Sequence, residues 1–355
     1  MRLFTKIVLS LAALPLLLTG CSDRGSSPAQ TVNVFMYSEY IGDDLVEQFE
    51  QETGLTVRID VYENTEEMLA KLKQAGGEKL YDVLVASNEA VPGLIKLGLV
   101  QPLDHAAIPN LSHISDEFND PAYDRGMKHS APYQWGTVGL MFRKDKLANP
   151  QDISWALLFE ADQQPGRFVM MDSMRDTLGA ALKYRGESMN SVDPQKVKAA
   201  GELVLAAKRS SKCLGFEGGV GGVNKIKTGE ADLAMVYNGD AIREGRDNPN
   251  IGYAVPKEGG DIWVDVMLVL GKAPNAGGAH RFINFILDPQ NGAKLSNYNR
   301  YATPNKDSLP LIRAEDRANP AIYPPAEVMK TLELLHTLGN DIRVYDEVWT
   351  SVKSR

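Results

Sequence analysis

Apolar residues in the first hundred positions alternate between short runs and helical stripes. Val32 to Met36 (VNVFM) is a short apolar run that reads as a buried strand. Asp43 to Thr53 carries Leu45, Val46 and Phe49 on one helical face, and Gly54 supplies the stop. Thr56 to Tyr62 sets Val57, Ile59 and Val61 against Arg58 and Asp60, the period-two pattern of a strand. Asn64 opens a second helix, with Glu67 in capping-box position and Met68, Leu69 and Leu72 as its apolar stripe. Tyr81 to Ala86 (YDVLVA) is the next strand, and Ser87-Asn88-Glu89 leads into another short helix. This βαβαβ order predicts an α/β fold, with parallel sheets and helices on their faces. Phe168 to Met171, Leu233 to Tyr237 and Trp263 to Leu270 read as further strands.

The N-terminal apolar run breaks this pattern. Arg2 and Lys6 precede an apolar stretch from Ile7 to Leu18, too short to span a bilayer, and Leu18-Thr19-Gly20-Cys21 closes it. That is the layout of a signal peptide over residues 1–20. The ending resembles the lipobox of bacterial lipoproteins, which implies that Cys21 is acylated and becomes the first mature residue. Residues 21–31, small and polar, then form a tether. An acylated Cys21 leaves Cys213 without an intrachain partner, so no disulfide is expected.

The remainder is composed like a globular protein, 43% hydrophobic and 24% charged, and its length suits two domains. Losing Arg2 and Lys6 with the leader takes the formal charge from −8 to −10. A nucleic-acid role needs a basic face and is disfavoured; a cationic partner is mildly favoured.

Candidate chemistry gathers at strand ends. In an open α/β sheet, ligands bind beyond the carboxyl ends of the strands. Helix N-termini there attract anions unless the sequence supplies negative charge. This chain places Tyr37-Ser38-Glu39-Tyr40 after the first strand and Ser87-Asn88-Glu89 after the third. Asp172-Ser173-Met174-Arg175-Asp176 follows a later strand, Tyr237-Asn238-Gly239-Asp240 closes another, and Trp263-Val264-Asp265 opens one. Taken singly, Glu39, Glu89 and Asp176 suit a helix first turn and Asp240 an N-cap. Carboxylates at each of these boundaries, often beside a ring, suit a different task, the holding of an ammonium group. Such a group needs a carboxylate or hydrogen bonds when it leaves water, and gains about 0.5–2 kcal/mol from an aromatic face. The sequence supplies no basic group to such a site, so anions are expected to be excluded.

Enzymatic signatures are missing. His105, His113, His129, His280 and His336 make no HExxH spacing and the cysteines make no CxxC pair, so neither metal nor cofactor is expected. Gly218-Gly219-Val220-Gly221-Gly222 lacks the Walker and GxGxxG patterns and reads as a flexible loop. Asp240 and Asp265 could form an acid/base pair of the glycosidase kind, but rings and several carboxylates without a nucleophile fit cation holding better.

Several stretches together carry a resemblance. They are Tyr37 to Tyr40, VYENTEEMLAKLK from Val61, Tyr81 to Ser87, Pro132-Tyr133-Gln134-Trp135-Gly136, Asp172 to Asp176, Tyr237-Asn238-Gly239, PKEGG from Pro256 followed by Trp263-x-Asp265, Phe282 to Phe285, and Tyr301-Ala302-Thr303-Pro304-Asn305. In this order they resemble the periplasmic spermidine/putrescine-binding proteins, the solute receptors of polyamine ABC transporters. The resemblance implies a two-lobed periplasmic-binding-protein fold with a ligand cleft between lobes. The first lobe would comprise residues 32–137 and 262–306, the second 138–261 and 307–355. By position it implies cleft contacts from Ser38, Tyr40 and Ser87, an aromatic and acid pair in Trp263 and Asp265, and a late ring in Tyr301. Tyr37 and Tyr237 stand where tryptophan is usual. Asp176 falls on an acidic ligand position, and Asp240 where putrescine-preferring members carry aspartate. Ser173 replaces an aspartate of spermidine-preferring members, Glu89 an often aromatic residue, and Leu335 lies near an expected amide. The implied partners are a polyamine and an ABC permease; a membrane sensor in place of the permease, or another cationic metabolite in place of the polyamine, fits the same residues.

Overall fold

The computed structural model describes residues 30–147, 153–246 and 248–355. The predicted leader and Cys21 lie outside these residues. The strands are β1 (Thr31–Tyr37), β2 (Thr56–Tyr62), β3 (Val83–Ser87), β4 (Val100–Gln101), β5 (Ser130–Arg143), β6 (Phe168–Met171), β7 (Cys213–Glu217), β8 (Leu233–Tyr237), β9 (Ile251–Ala254) and β10 (Ile262–Leu270). They join in the order β2-β1-β3-β10-β5-β8-β6-β7, with β4 added beside β10 and β9 beside β5.

Local sequence accounts for the first elements. The helix Asp43–Thr53 has acidic residues in its first turn, buries Leu45 and Phe49, and stops at Gly54, whose φ of 70° is the left-handed conformation glycine adopts without cost. In the helix Thr65–Lys73, the Asn64 side chain accepts the Glu67 N–H at 2.9 Å. Glu67 reaches back to the N–H of Glu63 at 3.0 Å, one residue earlier than a reciprocal capping box requires.

β1 pairs in parallel with both β2 and β3. The expectation of parallel sheets fails at β10, which runs antiparallel to β3 on one side and β5 on the other, and again at β5, which runs antiparallel to β8 and β9. β10 arrives from the far half of the chain, and alternation along a strand does not encode its direction. In this first sheet both faces of β1, β3 and β10 are covered, whereas the edge strand β2 is largely exposed. Val34 and Met36 face one core cluster with Phe49 and Phe282, whereas Phe35 faces another with Tyr62, Leu84 and Leu268. The same two-sided burial explains why these strands read as apolar runs.

β5 belongs to two sheets. Its first part, Ser130 to Thr137, pairs with β10; its second, Val138 to Phe142, pairs with β8, and Leu140 to Arg143 pair with β9. β6 lies parallel to β7 and β8 in the second sheet. Residues 130–142 of this strand are all buried. The two sheets therefore meet along β5, and the carboxyl ends of β1, β3, β6 and β8 contribute to one cavity between them.

Candidate ligand-binding site

The strand ends bring their side chains to this cavity, about 120 Å³ in volume. Tyr37 is the last residue of β1, Ser87 of β3 and Tyr237 of β8, and Asp265 of β10 pairs directly with Ser87. Ser38, Glu39, Tyr40, Glu89, Trp263 and Tyr301 also line it from the side of the first sheet. Asp172, Ser173, Asp176 and Asp240 line it from the side of the second. All the candidate site residues named from sequence lie on this one cavity.

Five rings form a continuous edge-to-face chain around it. Tyr37 meets Tyr40 at 5.9 Å between centroids, Tyr40 meets Tyr301 at 5.6 Å, Tyr301 meets Trp263 at 4.9 Å and Trp263 meets Tyr237 at 5.8 Å, with interplanar angles from 76° to 90°. Edge-to-face contact of this kind fixes the rings relative to one another. Gly239 makes the packing possible: a Cβ there would sit 2.5 Å from the Tyr301 ring.

The carboxylates divide by their partners. Asp265 is 6% exposed, and its side chain accepts the Tyr40 hydroxyl at 2.6 Å. No cation pairs with it among the described residues. Burial pushes its carboxyl up to about 7, although the Tyr40 hydrogen bond pulls the other way. Tyr40 is itself fixed, since its carbonyl accepts the Tyr133 hydroxyl at 2.8 Å.

Glu89 is also raised to about 7 by burial, opposed by Arg175, which lies 3.3 Å away. Arg175 donates to the His336 carbonyl at 2.9 Å and to Asn190 at 3.0 Å, and its guanidinium lies 5.2 Å from the Tyr345 ring centre. A basic side chain thus lines the cavity, contrary to expectation, and it is paired with Glu89. Arg175 falls within the acidic stretch after β6, and local sequence does not show that it turns inward.

Asp240, partly buried, takes the third position of the helix Asn238–Gly245, whose N-cap is Tyr237. Burial raises its carboxyl, and Arg243 lowers it from 3.2 Å. The same Arg243 holds Glu39 at 2.6 Å. Glu39 is half exposed and occupies the left-handed region at φ 54°. Asp172 stands at the rim, paired with Lys353 at 2.8 Å. Asp176 accepts the Ser173 hydroxyl at 2.5 Å, and Ser173 caps the helix Met174–Tyr184.

Several lining residues escaped the sequence reading. Gly218, Gly219 and Val220, expected as a flexible loop, line the cavity, and Gly221 starts the helix Gly221–Lys227. Gly219 has φ 49° and abuts Glu63 from the other side, where a Cβ would meet the carboxylate at 2.2 Å. Asp261, 2% exposed, lies one residue before β10 and also lines the cavity. The spacing Asp261-x-Trp263-x-Asp265, in which the three alternate with Ile262 and Val264, was the available signal.

Among the described residues no group of three or more His, Cys, Asp or Glu is placed to hold a metal, and no helix is long and apolar enough to cross a membrane. The arrangement offers a desolvated carboxylate, ring faces and no uncompensated cation, the chemistry for holding a protonated amine.

Residues 44–324 match the profile of the bacterial extracellular solute-binding proteins. The chain is 29% identical to the spermidine/putrescine-binding periplasmic protein 1 of Haemophilus influenzae, over 95% of each chain. It is 32% identical to the putrescine/cadaverine-binding protein of Pseudomonas aeruginosa, over 93% of this chain and 95% of that one. The fold superposes on the spermidine/putrescine ABC transporter substrate-binding protein PotD of Streptococcus pneumoniae with a TM-score of 0.76 and 27% identity, covering 92% of this chain and 99% of that one.

Proposed function

The chain belongs to the bacterial extracellular solute-binding protein family, and from that premise we propose that it captures a polyamine, putrescine or spermidine, and delivers it to an ABC permease. It binds its ligand without transforming it. The observation that carries this reading is Asp265: a carboxylate 6% exposed, hydrogen-bonded to Tyr40 and flanked by aromatic side chains, with no cation among the described residues to balance it. An ammonium supplies that charge, and the rings take the methylenes and share the cation. The names of the relatives support the choice of amine.

In this reading residues 32–137 and 262–306 form one lobe, and residues 138–261 and 307–355 the other. The division of β5 between two sheets supports that boundary. The ion pairs Glu89–Arg175 and Glu39–Arg243 then join the lobes across the cleft and favour the closed state, which a permease can recognise. The protein works in the periplasm, tethered to the membrane by a lipid on Cys21.

A thermal-shift panel tests the proposal. Putrescine, cadaverine or spermidine should raise the melting temperature, because a ligand at a hundred times its Kd adds about 2.7 kcal/mol. Glutamate, sulfate, maltose and ferric citrate should not, since the Arg175 guanidinium is already paired. Stabilisation by an anion alone overturns the reading.

A further inference from the structure

Resting on the polyamine reading, we propose that Asp261 and Asp176 together form a second ammonium subsite, separate from Asp265, that selects amines long enough to occupy both. Asp261, the residue before β10, and Trp263 and Asp265 within it alternate with Ile262 and Val264, and all three line the cavity. A rise near 3.3 Å per residue separates the Cα atoms of Asp261 and Asp265 by roughly 13 Å. Putrescine spans roughly half of that between its nitrogens, by ordinary bond lengths. Spermidine, with a third nitrogen and a longer chain, reaches from one station toward the other across Trp263.

The pair is built for a missing partner. Asp261 is 2% exposed and Asp176 5% exposed, and Oδ1 of each is buried without a hydrogen-bond donor. Neither carboxylate forms an ion pair among the described residues. The nearby guanidinium, Arg175, is held by Glu89, Asn190 and the His336 carbonyl. Ser173 donates to Asp176, which leaves the pair short of charge compensation. Two buried carboxyls in contact do not both ionise: burial raises both, the charge of Asp176 raises Asp261 further, and hydrogen bonding from Ser173 and Asp261 holds Asp176 the lower of the two. In the empty cavity they share a proton. An entering ammonium takes the proton's place between the oxygens, and the proton passes to solvent. The titratable groups around the pair are Glu89 and Arg175, with Tyr237 beside Asp176 and Asp265 farther along the strand.

Calorimetry with putrescine and spermidine on the full-length mature protein tests this, comparing wild type with Asp261→Asn and Asp176→Asn. Asparagine keeps the shape of the side chain and removes the charge. Each variant is expected to weaken spermidine by roughly 30-fold, the loss typical when one partner of a buried charge pair goes, and putrescine by less than about threefold. The ratio of the two affinities on one sample cancels any unfolded fraction. Titrations in phosphate and Tris, which differ in ionisation heat, should show spermidine releasing about one proton fewer from Asp261→Asn than from wild type. An affinity ratio unchanged in both variants, or both amines weakened alike, overturns the subsite while leaving the polyamine reading in place. Wild-type protein that binds neither amine removes both.

Discussion

Replacing Asp265 by asparagine keeps the side chain's shape and its contact with Tyr40 while removing a buried charge that no cation among the described residues balances. The substitution has opposite effects with and without ligand. In the ligand-free protein, burial holds the carboxyl at about 7 against an ordinary 3.8. A carboxyl raised on folding binds its proton more tightly in the folded state, so its contribution to stability falls as pH rises from about 4 to about 7. At about 1.4 kcal/mol for each tenfold change in acid constant, the ionised group costs the empty protein about 4 kcal/mol above pH 7. Ligand-free Asp265→Asn should therefore match wild type below about pH 4 and exceed its stability by up to about 4 kcal/mol at pH 8. With ligand, the variant loses an ammonium partner in a desolvated site, which commonly costs about 2–5 kcal/mol, or roughly 30-fold to several-thousand-fold in affinity. Asp240→Asn should cost less for every amine, because Arg243 already neutralises Asp240 from 3.2 Å. Urea denaturation of the empty proteins across pH gives the first effect, and calorimetry at pH 8 with putrescine and spermidine the second. Folded Asp265→Asn that binds both amines within about threefold of wild type would refute the reasoning, as would a larger loss in Asp240→Asn.

Gly239→Ala should lower both the melting temperature and polyamine affinity, each by about 1–3 kcal/mol, because its Cβ would stand 2.5 Å from the Tyr301 ring and displace part of the aromatic wall; thermal melts and calorimetry read both. Arg243→Ala removes the counter-ion of Asp240 and the hold on Glu39. Since Arg243 and Asp240 are 18% and 13% exposed, the loss in urea denaturation should be about 1–3 kcal/mol, less than for a fully buried pair. In cells, full-length protein should fractionate with membranes, and Cys21→Ser should accumulate as unprocessed precursor; fully soluble, lipid-free wild type lacking its first 20 residues refutes the anchor.

What sequence could show depended on how far apart the interacting residues lie along the chain. The bounds of the helix Asp43–Thr53 and of β2, β6 and β8 follow from periodicity and a glycine stop, because those signals are local. The antiparallel course of β10 was not legible, since alternation has no direction and its partners come from more than a hundred residues earlier. In the candidate site, rings and acids could be placed at strand ends because each follows its own strand. Their pairing could not: Arg175 and Glu89 are 86 residues apart, Arg243 and Glu39 are 204 apart. Which carboxylates are already neutralised, and which remain open to a ligand, is decided by those distant contacts. Asp261 was passed over because a single acid next to a glycine pair reads as loop polarity until the strand's direction into the cavity is known.

β5 has a consequence for how the molecule melts. A strand whose first half is laddered into one sheet and whose second half is laddered into the other cannot be withdrawn from either without fraying both. Its residues 130–142 are buried throughout, so water cannot replace the hydrogen bonds that fraying would break. The two sheets consequently share their least expendable segment, and loss of one removes the template of the other. Despite its two-part architecture, the chain is expected to unfold as a single cooperative unit, with the β5 amides among the last to exchange with solvent, which hydrogen exchange reads directly.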